Sequence, residues 1–247
     1  MLKRTFSTVG LAALTVGAMA TGAAAQDSTM TLSGQLDELN GSGGSGTVTM
    51  ELNESTNEAT IRIEGNGFLA GSPHAQHIHG VESGDSVCPT LEQDEDGDGL
   101  VNTPEGATVY GPIEASLTTE GDTSPDSALA VERFPTYDDG VYERTVQLDS
   151  DVADNLDRYH VVIHGVDVNG NGEYDAEAGQ SPLDEALPLE ATLPAACGTL
   201  TATASGGVDT GAGGTADSGA DPIALSAVGA VAIGGLALGL RRRSQTI

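Results

Sequence analysis

Short segments in which apolar and polar residues alternate fill the middle of the chain, and helical periodicity is almost absent. The clearest one, Thr-Val-Thr-Met-Glu-Leu at 47–52, is separated from the next by a polar stretch at 53–57. Alternation puts every second side chain on one face of a β-strand. Gly, Asn and Asp between such segments predict an antiparallel β-sandwich or flattened barrel. The predicted strands are 29–34, 46–52, 58–64, 77–81, 113–118, 142–148, 159–165 and 187–203, with one helical turn at 150–157.

The N-terminus has the features of a secretory signal peptide. Lys3 and Arg4 precede a largely apolar run, and small residues stand at Ala23 and Ala25. This order predicts a signal peptide over residues 1–25 that is removed after export.

The C-terminus predicts a tether. Residues 222–240 are uncharged and mostly apolar, and about 17–25 such residues cross a bilayer. Three arginines open the tail 241–247, which is therefore expected on the cytoplasmic side. The segment is rich in Gly and Ala, so a sorting segment that is later cut remains an alternative. Residues 205–221 are typical of a flexible linker. We therefore expect the folded domain, 26–204, on the extracellular side of the membrane or in the cell wall.

The charge balance limits the partners of this domain. The chain has 37 acidic residues against 9 lysines and arginines, a formal net charge of -28. Such a negative field repels nucleic acid and attracts cations. Metal ions are therefore expected partners and nucleic acid is not; the pattern indicates no particular protein partner.

The two cysteines, Cys88 and Cys197, predict a disulfide. An even pair of cysteines outside the cytoplasm usually forms a bond. This bond would close a loop of 109 residues, counted as 197 − 88.

All five histidines fall in two segments. His77 and His79 are two residues apart in a predicted strand, so they share a face while Ile78 points into the opposite layer. A third imidazole from a neighbouring strand would complete a three-nitrogen site suited to copper or zinc. His160 and His164 likewise share one face of a strand whose apolar run marks it as part of the core. A purely structural role for these histidines is the alternative.

The first histidine segment resembles a known family. Pro-His-Ala-Gln-His-Ile-His-Gly at 73–80 is similar to the His-x-x-His-x-His segment of copper/zinc superoxide dismutases and of the related chordin-type (CHRD) domains of secreted bacterial or archaeal surface proteins. Cys88 follows at the dismutase spacing, and Ala-Cys-Gly at 196–198 matches the segment with the second cysteine. Val-Val-Ile-His at 161–164 resembles the late strand that supplies another copper ligand. The resemblance covers about residues 28–203.

This resemblance implies an all-β fold, an eight-stranded Greek-key β-sandwich of the superoxide dismutase type. It also implies copper ligands at His77, His79 and His164, with His74 or His160 supporting them from outside the ligand shell.

Two departures from the dismutase pattern argue against efficient dismutation of superoxide. No histidine lies between Cys88 and Gly111, where a dismutase has its metal-bridging histidine and zinc ligands. Pro194 stands where the dismutases have an arginine that guides superoxide. Zinc is therefore not expected in the family's site, and the negative charge of the domain would repel superoxide.

In place of the zinc loop, residues 94–105 fit the 12-residue calcium loop. Oxygen donors fall at positions 1, 3, 5, 9 and 12, glycine at 6 and a backbone carbonyl at 7, which is the ligand order of such loops. Pro104 within the loop and predicted strands on both sides argue against flanking helices. The predicted calcium ligands are Asp94, Asp96, Asp98, Leu100, Asn102 and Glu105.

A second stretch, which begins at Asp167, repeats the front half of this calcium-loop pattern. Position 12 is Ala178, with Glu177 beside it and within reach, and an Asn-Gly turn without metal is the alternative. The predicted ligands are Asp167, Asn169, Asn171, Glu173 and Asp175.

Three function classes follow. The residues favour a non-catalytic surface module that binds calcium and, through the histidines, copper. A copper-dependent, superoxide dismutase-like redox enzyme is the alternative. A zinc hydrolase with three histidines and an open water position is weaker, because no Asp or Glu near the histidines stands out as a general base.

Overall fold

The computed structural model describes residues 28–203, which form a mostly antiparallel β-structure with few and short helices. The all-β character predicted from alternation is confirmed. The strands are β1 (Thr29–Glu38), β2 (Ser45–Asn53), β3 (Glu58–Asn66), β4 (Gln76–His79), β5 (Ile113–Ser116), β6 (Val141–Gln147), β7 (His160–His164), β8 (Pro194–Thr199) and β9 (Thr201–Thr203). The α-helices are α1 (Thr103–Tyr110), α2 (Ser150–Ala153) and α3 (Leu189–Thr192), and short 3-10 turns lie at Leu91–Gln93, Pro125–Ser127, Val131–Arg133 and Leu156–Arg158.

The strands form one curled sheet in the order β5-β4-β7-β8-β1-β2-β3-β6, with β9 beside β1. All the strand pairs are antiparallel. Most of β1 pairs with β2, while its last residues, Asp37 and Glu38, pair with β8. Because β1 takes part in both halves, the sheet curls and the halves β1-β2-β3-β6 and β8-β7-β4-β5 enclose one core.

The side chains between the two halves form the main hydrophobic core. Burial alternates residue by residue along β2 and β3, as their sequences predict. Their inward residues, such as Met50 and Ile61, belong to the same cluster as Ile78 of β4 and Ile163 of β7. Ile78 therefore points into the core, and the neighbouring histidines point to the other face of the sheet.

Strands β4 and β7 differ from the others because every one of their residues is buried. One face lies against the main core, and loops together with α1 and α3 cover the other. Their pairing sets His77 opposite Val162 and His79 opposite His160. Side chains on the covered face are thus shielded from water although they lie outside the main core.

Two local predictions were wrong. The predicted strand 187–203 is divided into α3, β8 and β9, and α1 begins within the last residues of the acidic loop 94–105, where no helix was expected. Pro104 lies in the first turn of α1, where a missing N–H costs nothing. Asn102 and Glu105 form a capping box at its start. A capped helix of two turns needs no long amphipathic pattern, so periodicity did not reveal it.

The predicted disulfide between Cys88 and Cys197 is present, with a Cα–Cα distance of 5.7 Å. Cys197 lies in β8, and Cys88 lies in the loop that follows β4. Around the bond, Tyr110 of α1 and Val162 of β7 form a small second cluster. The disulfide therefore holds the loop with the first acidic segment against the covered face of the sheet.

The predicted signal peptide, linker, anchor and tail lie outside the described residues. Between residues 28 and 203, no helix is both long and apolar enough to cross a membrane.

We predict that Cys88→Ala combined with Cys197→Ala lowers the free energy of unfolding. A bond that closes 109 residues contributes up to about 4–5 kcal/mol in the chain-entropy description. The measurement is urea unfolding of both proteins with and without dithiothreitol. The reductant should shift the wild-type midpoint toward that of the variant and leave the variant unchanged; equal midpoints in the oxidised proteins would contradict the prediction.

Candidate metal centre and acidic loops

Three buried imidazoles meet on the covered face of the sheet. His77 and His79 come from β4 and His164 from the end of β7, and each is at most 3% exposed. One ring nitrogen of each lies within 4.8 Å of those of the other two. The ring centroids are 5.6 Å apart for His77 and His79, and 5.2 Å for His77 and His164. The three histidines that the family resemblance implied as copper ligands therefore form one cluster.

The second nitrogen of each ring is held by a backbone carbonyl. His77 Nε2 donates to Ala128 O at 3.1 Å, His79 Nδ1 to Gly111 O at 3.0 Å and His164 Nδ1 to Thr192 O at 2.8 Å. Because a carbonyl oxygen only accepts, these bonds place the proton on the outer nitrogen of each neutral ring.

The remaining nitrogens are therefore lone pairs that point inward. They are His77 Nδ1, His79 Nε2 and His164 Nε2, all buried and without a hydrogen-bond partner among residues 28–203. A buried polar atom without a partner costs roughly 1–3 kcal/mol. Three neutral imidazoles held from behind by carbonyls are the usual arrangement of histidine metal ligands, so these residues fit a copper or zinc ion.

The surroundings favour neutral rings. Burial, with smaller effects from His164 and His79, lowers the pKa of His77 well below its ordinary value. Burial lowers the pKa of His79 to about 3 and that of His164 to about 4. The rings are thus unprotonated at neutral pH, as metal ligands must be.

The two other histidines do not join the cluster. His74 Nδ1 lies 2.9 Å from the carbonyl oxygen of His164, so His74 contacts the backbone of a candidate ligand. His160 lies near the disulfide, where its ring nitrogens bond Thr199 Oγ1 at 3.0 Å and Ser86 Oγ at 2.9 Å.

The first acidic loop brings its leading carboxylates together. Asp94, Asp96 and Asp98 each offer an oxygen within 4.8 Å of the other two. At the end of the loop, Glu105 accepts from the backbone N–H of Glu95 at 2.9 Å and of Asn102 at 2.8 Å. Gly99, at position 6 of the loop, has a φ of 87°, a conformation that glycine adopts readily. The backbone N–H of Leu100 bonds Asp98 at 2.8 Å, which closes the turn.

The second acidic loop repeats the bonds by which Asp94 of the first loop accepts from the backbone N–H of Gly97 and of Gly99. Asp167 accepts from the backbone N–H of Gly170 and of Gly172, and Gly172 has a φ of 89°. The side chains of Asn169 and Asn171 both bond Asp175. Glu173 contributes its backbone N–H to the loop, which donates to the Asn171 side chain; its carboxylate makes no hydrogen bond within the loop.

Sequence reasoning missed Glu190, which completes this second loop from α3. Glu190 is fully buried and accepts from the backbone N–H of Val168 at 2.8 Å and of Asp175 at 2.8 Å. These are positions 2 and 9 of the loop, the same two positions that Glu105 holds in the first loop. Glu177, which the sequence suggested, is exposed. No local signal pointed to Glu190, because it lies 15 residues after Asp175.

Both acidic loops connect to the carbonyls that orient the imidazoles. Thr103, at position 10 of the first loop, donates through its hydroxyl to Thr192 O, the acceptor of the His164 ring. Thr192 ends α3, the helix that also contains Glu190. Gly111, whose carbonyl holds His79, caps the far end of α1. The loops and the histidine cluster thus share α1 and α3.

No family model matches this chain, and a search of curated proteins also found no match.

We predict that the metal-free protein loses stability as the pH falls from about 6.5 toward 4. The pKa values of the folded rings are lowered, so the unfolded state binds more protons in this window and is favoured there. Each proton contributes about 1.4 kcal/mol per pH unit to the slope. The check is urea unfolding across this window for the wild type and for His79→Phe combined with His164→Phe. Subtracting the pH dependence of the variant from that of the wild type leaves the contribution of the two rings, because the carboxylates are common to both proteins. Identical slopes of unfolding free energy against pH in the two proteins would contradict the prediction.

Proposed function

We propose that this chain is an exported, surface-tethered domain of the CHRD/superoxide dismutase-like type that binds copper through His77, His79 and His164 and calcium through its two acidic loops. The observation that carries the copper proposal is the set of three inward lone pairs, each fixed by a carbonyl behind its ring. A copper-dependent redox activity of the dismutase kind is the alternative.

The strand order supports the proposed Greek-key relationship. β6 lies beside β3, β7 beside β4, and β8 and β9 beside β1, so four pairs of neighbours are not consecutive in the chain. Long connections that return a later strand beside an earlier one are typical of Greek keys. The disulfide supports the proposed location outside the cytoplasm, where such bonds persist.

Copper is proposed rather than zinc because of the ligand set. Three imidazoles without a carboxylate suit either ion, and at equal ligands divalent copper binds more tightly than zinc. Three protein ligands leave a coordination position for a further molecule. Bound copper would supply one-electron redox chemistry at this position.

Metal binding is proposed ahead of superoxide dismutation because, among residues 28–203, no arginine or lysine is placed at the site to attract the superoxide anion. The four arginines between residues 28 and 203 bond elsewhere: Arg62 with Glu64 and Glu143, and Arg133, Arg144 and Arg158 with backbone and polar groups of surface loops. The surplus of carboxylates repels superoxide from the domain.

Calcium is proposed for the acidic loops because both present the same arrangement of hard oxygen donors. In each, a buried or nearly buried glutamate holds positions 2 and 9, from within the loop in one case and from α3 in the other. Calcium takes six to eight oxygen ligands, and carboxylates, amide oxygens and backbone carbonyls of these loops supply them.

We predict that the full-length protein binds about one copper ion and that His77→Ala combined with His79→Ala abolishes this binding. The variant should stay folded, although losing two rings leaves carbonyls without donors at roughly 1–3 kcal/mol each. Copper and zinc are offered together and bound metal is measured by mass spectrometry.

The matched control for copper is His160→Ala, which removes a buried histidine from the same strand as His164 but outside the cluster. It should keep the full copper content, and circular dichroism should verify folding for both variants. Equal copper in the wild type and the double variant would refute the three-histidine site.

We predict two bound calcium ions and a melting temperature about 10–20 °C lower in excess EGTA. Saturation at about 100 times Kd stabilises a fold by about 2.7 kcal/mol for each of the two sites, and about 2–4 °C corresponds to each kcal/mol at this size. Calorimetric melting with calcium and with EGTA checks the shift, and overlapping curves would rule the calcium proposal out.

Single substitutions separate the two calcium loops. Glu105→Gln should remove one calcium ion and Glu190→Gln the other, as measured by isothermal titration calorimetry. Glu177→Gln and Glu92→Gln change exposed carboxylates near the second and first loops, respectively, and should keep both ions. Loss of the second ion in Glu177→Gln but not in Glu190→Gln would favour the ligand suggested by the sequence.

A further inference from the structure

The histidine cluster forms the floor of an apolar cavity of about 350 Å³. Besides the three imidazoles, the lining consists of uncharged residues, and the only other polar side chains are the hydroxyls of Thr103 and Thr192. Both hydroxyls already donate hydrogen bonds, to Thr192 O from Thr103 and to Ser181 Oγ from Thr192. Among the side chains of this lining, the buried nitrogen and oxygen atoms that make no hydrogen bond are therefore the inward imidazole nitrogens.

These nitrogens define what a ligand must offer. Each is a hydrogen-bond acceptor, because the other nitrogen of the ring already donates to a carbonyl. They are buried and have no partner among the described residues. A ligand that meets one of them needs a hydrogen-bond donor at one end and an apolar body for the walls.

Charge disfavours organic ions as ligands of this cavity. No lysine, arginine, aspartate or glutamate lines it, so an organic ionic group against the apolar walls would lose its hydration without gaining an oppositely charged partner. The negative field of the domain opposes anions further. Apart from a metal ion held by the imidazoles, an uncharged ligand is the class that this lining accepts.

The size of the cavity admits a ring system. A dry apolar cavity of about 150 Å³ holds benzene, and 350 Å³ has room for a substituted or bicyclic aromatic ring. Leu129 and Leu183 of the lining are 42% and 45% exposed, so apolar side chains are presented to solvent at this cavity. A ligand that covered them would remove apolar surface from water.

We infer that this cavity binds a small uncharged phenol, with its aromatic body against the leucine and alanine walls and its hydroxyl group at the three imidazoles. The inference rests on the proposed function in that it names the ligand class for the open side of the same copper site. The hydroxyl donates to an imidazole nitrogen in the metal-free protein, and its oxygen is the atom available to a bound metal.

The probe for this proposal is 2-naphthol, whose fluorescence can be followed because the chain contains no tryptophan. The full-length protein is freed of copper and zinc, and calcium is then restored. We expect 2-naphthol to bind roughly tenfold more tightly than naphthalene, the difference of one hydrogen bond. 2-Naphthoate has the same rings and a negative charge, and it should bind at least about 100-fold more weakly than 2-naphthol.

Two leucine variants test the location. Leu183→Asp puts a carboxylate on a partly exposed wall residue and should weaken 2-naphthol binding at least about tenfold. Leu91→Asp changes a leucine that is 65% exposed and does not line the cavity, so it should bind 2-naphthol like the wild type. Equal binding by Leu183→Asp and the wild type, or 2-naphthoate bound as well as 2-naphthol, would overturn the proposal.

A copper measurement separates this proposal from the proposed function. If one copper binds and 2-naphthol changes its electron paramagnetic resonance spectrum, both are supported. If copper binds at the three histidines but 2-naphthol binds neither form of the protein, the phenol proposal fails and the metal site stands. If 2-naphthol binds with the expected preferences but copper does not, the phenol proposal holds and the copper function fails.

Discussion

The pairing of β4 with β7 is the interaction on which the site depends. Its register sets the histidines of both strands on one face, while Ile78 and Ile163 on the other face pack into the main core. Both strands are buried on both faces, so each polar side chain on the outer face needs a partner. Each of the three imidazoles has a hydrogen-bond partner for only one of its two ring nitrogens. The unsatisfied side of each ring faces the other two, and this is the feature that indicates a metal ion or other ligand.

The loops over this face orient the rings as well as cover them. The three carbonyls that hold the rings belong to Gly111, Ala128 and Thr192, which come from three different covering segments. Two of these segments are helices that adjoin acidic loops, and the disulfide holds one of them against the sheet. Order in the acidic loops and geometry at the histidines therefore depend on the same short helices.

In both acidic loops a glutamate accepts from the backbone at the same two positions, but the glutamate comes from a different part of the chain in each. In the first, Glu105 lies within the loop and begins α1; in the second, Glu190 comes from α3 and is buried completely. Either glutamate accepts from the backbone at positions 2 and 9, so each loop closes around a carboxylate. Glu190 lies in the same short helix as Thr192, whose carbonyl holds the His164 ring. The second loop is therefore connected to the histidine cluster through a single helix.

The sequence by itself determined the features that depend on neighbours along the chain. Alternation predicted β2, β3 and the outward face shared by His77 and His79, and the cysteine pair predicted the disulfide. Tertiary structure decided the rest: the carbonyls behind each ring, the role of Glu190, the helix α1 and the apolar cavity. These arise where the chain folds back over the sheet, so they join residues far apart in sequence, and such contacts leave no periodic pattern by which the sequence could reveal them.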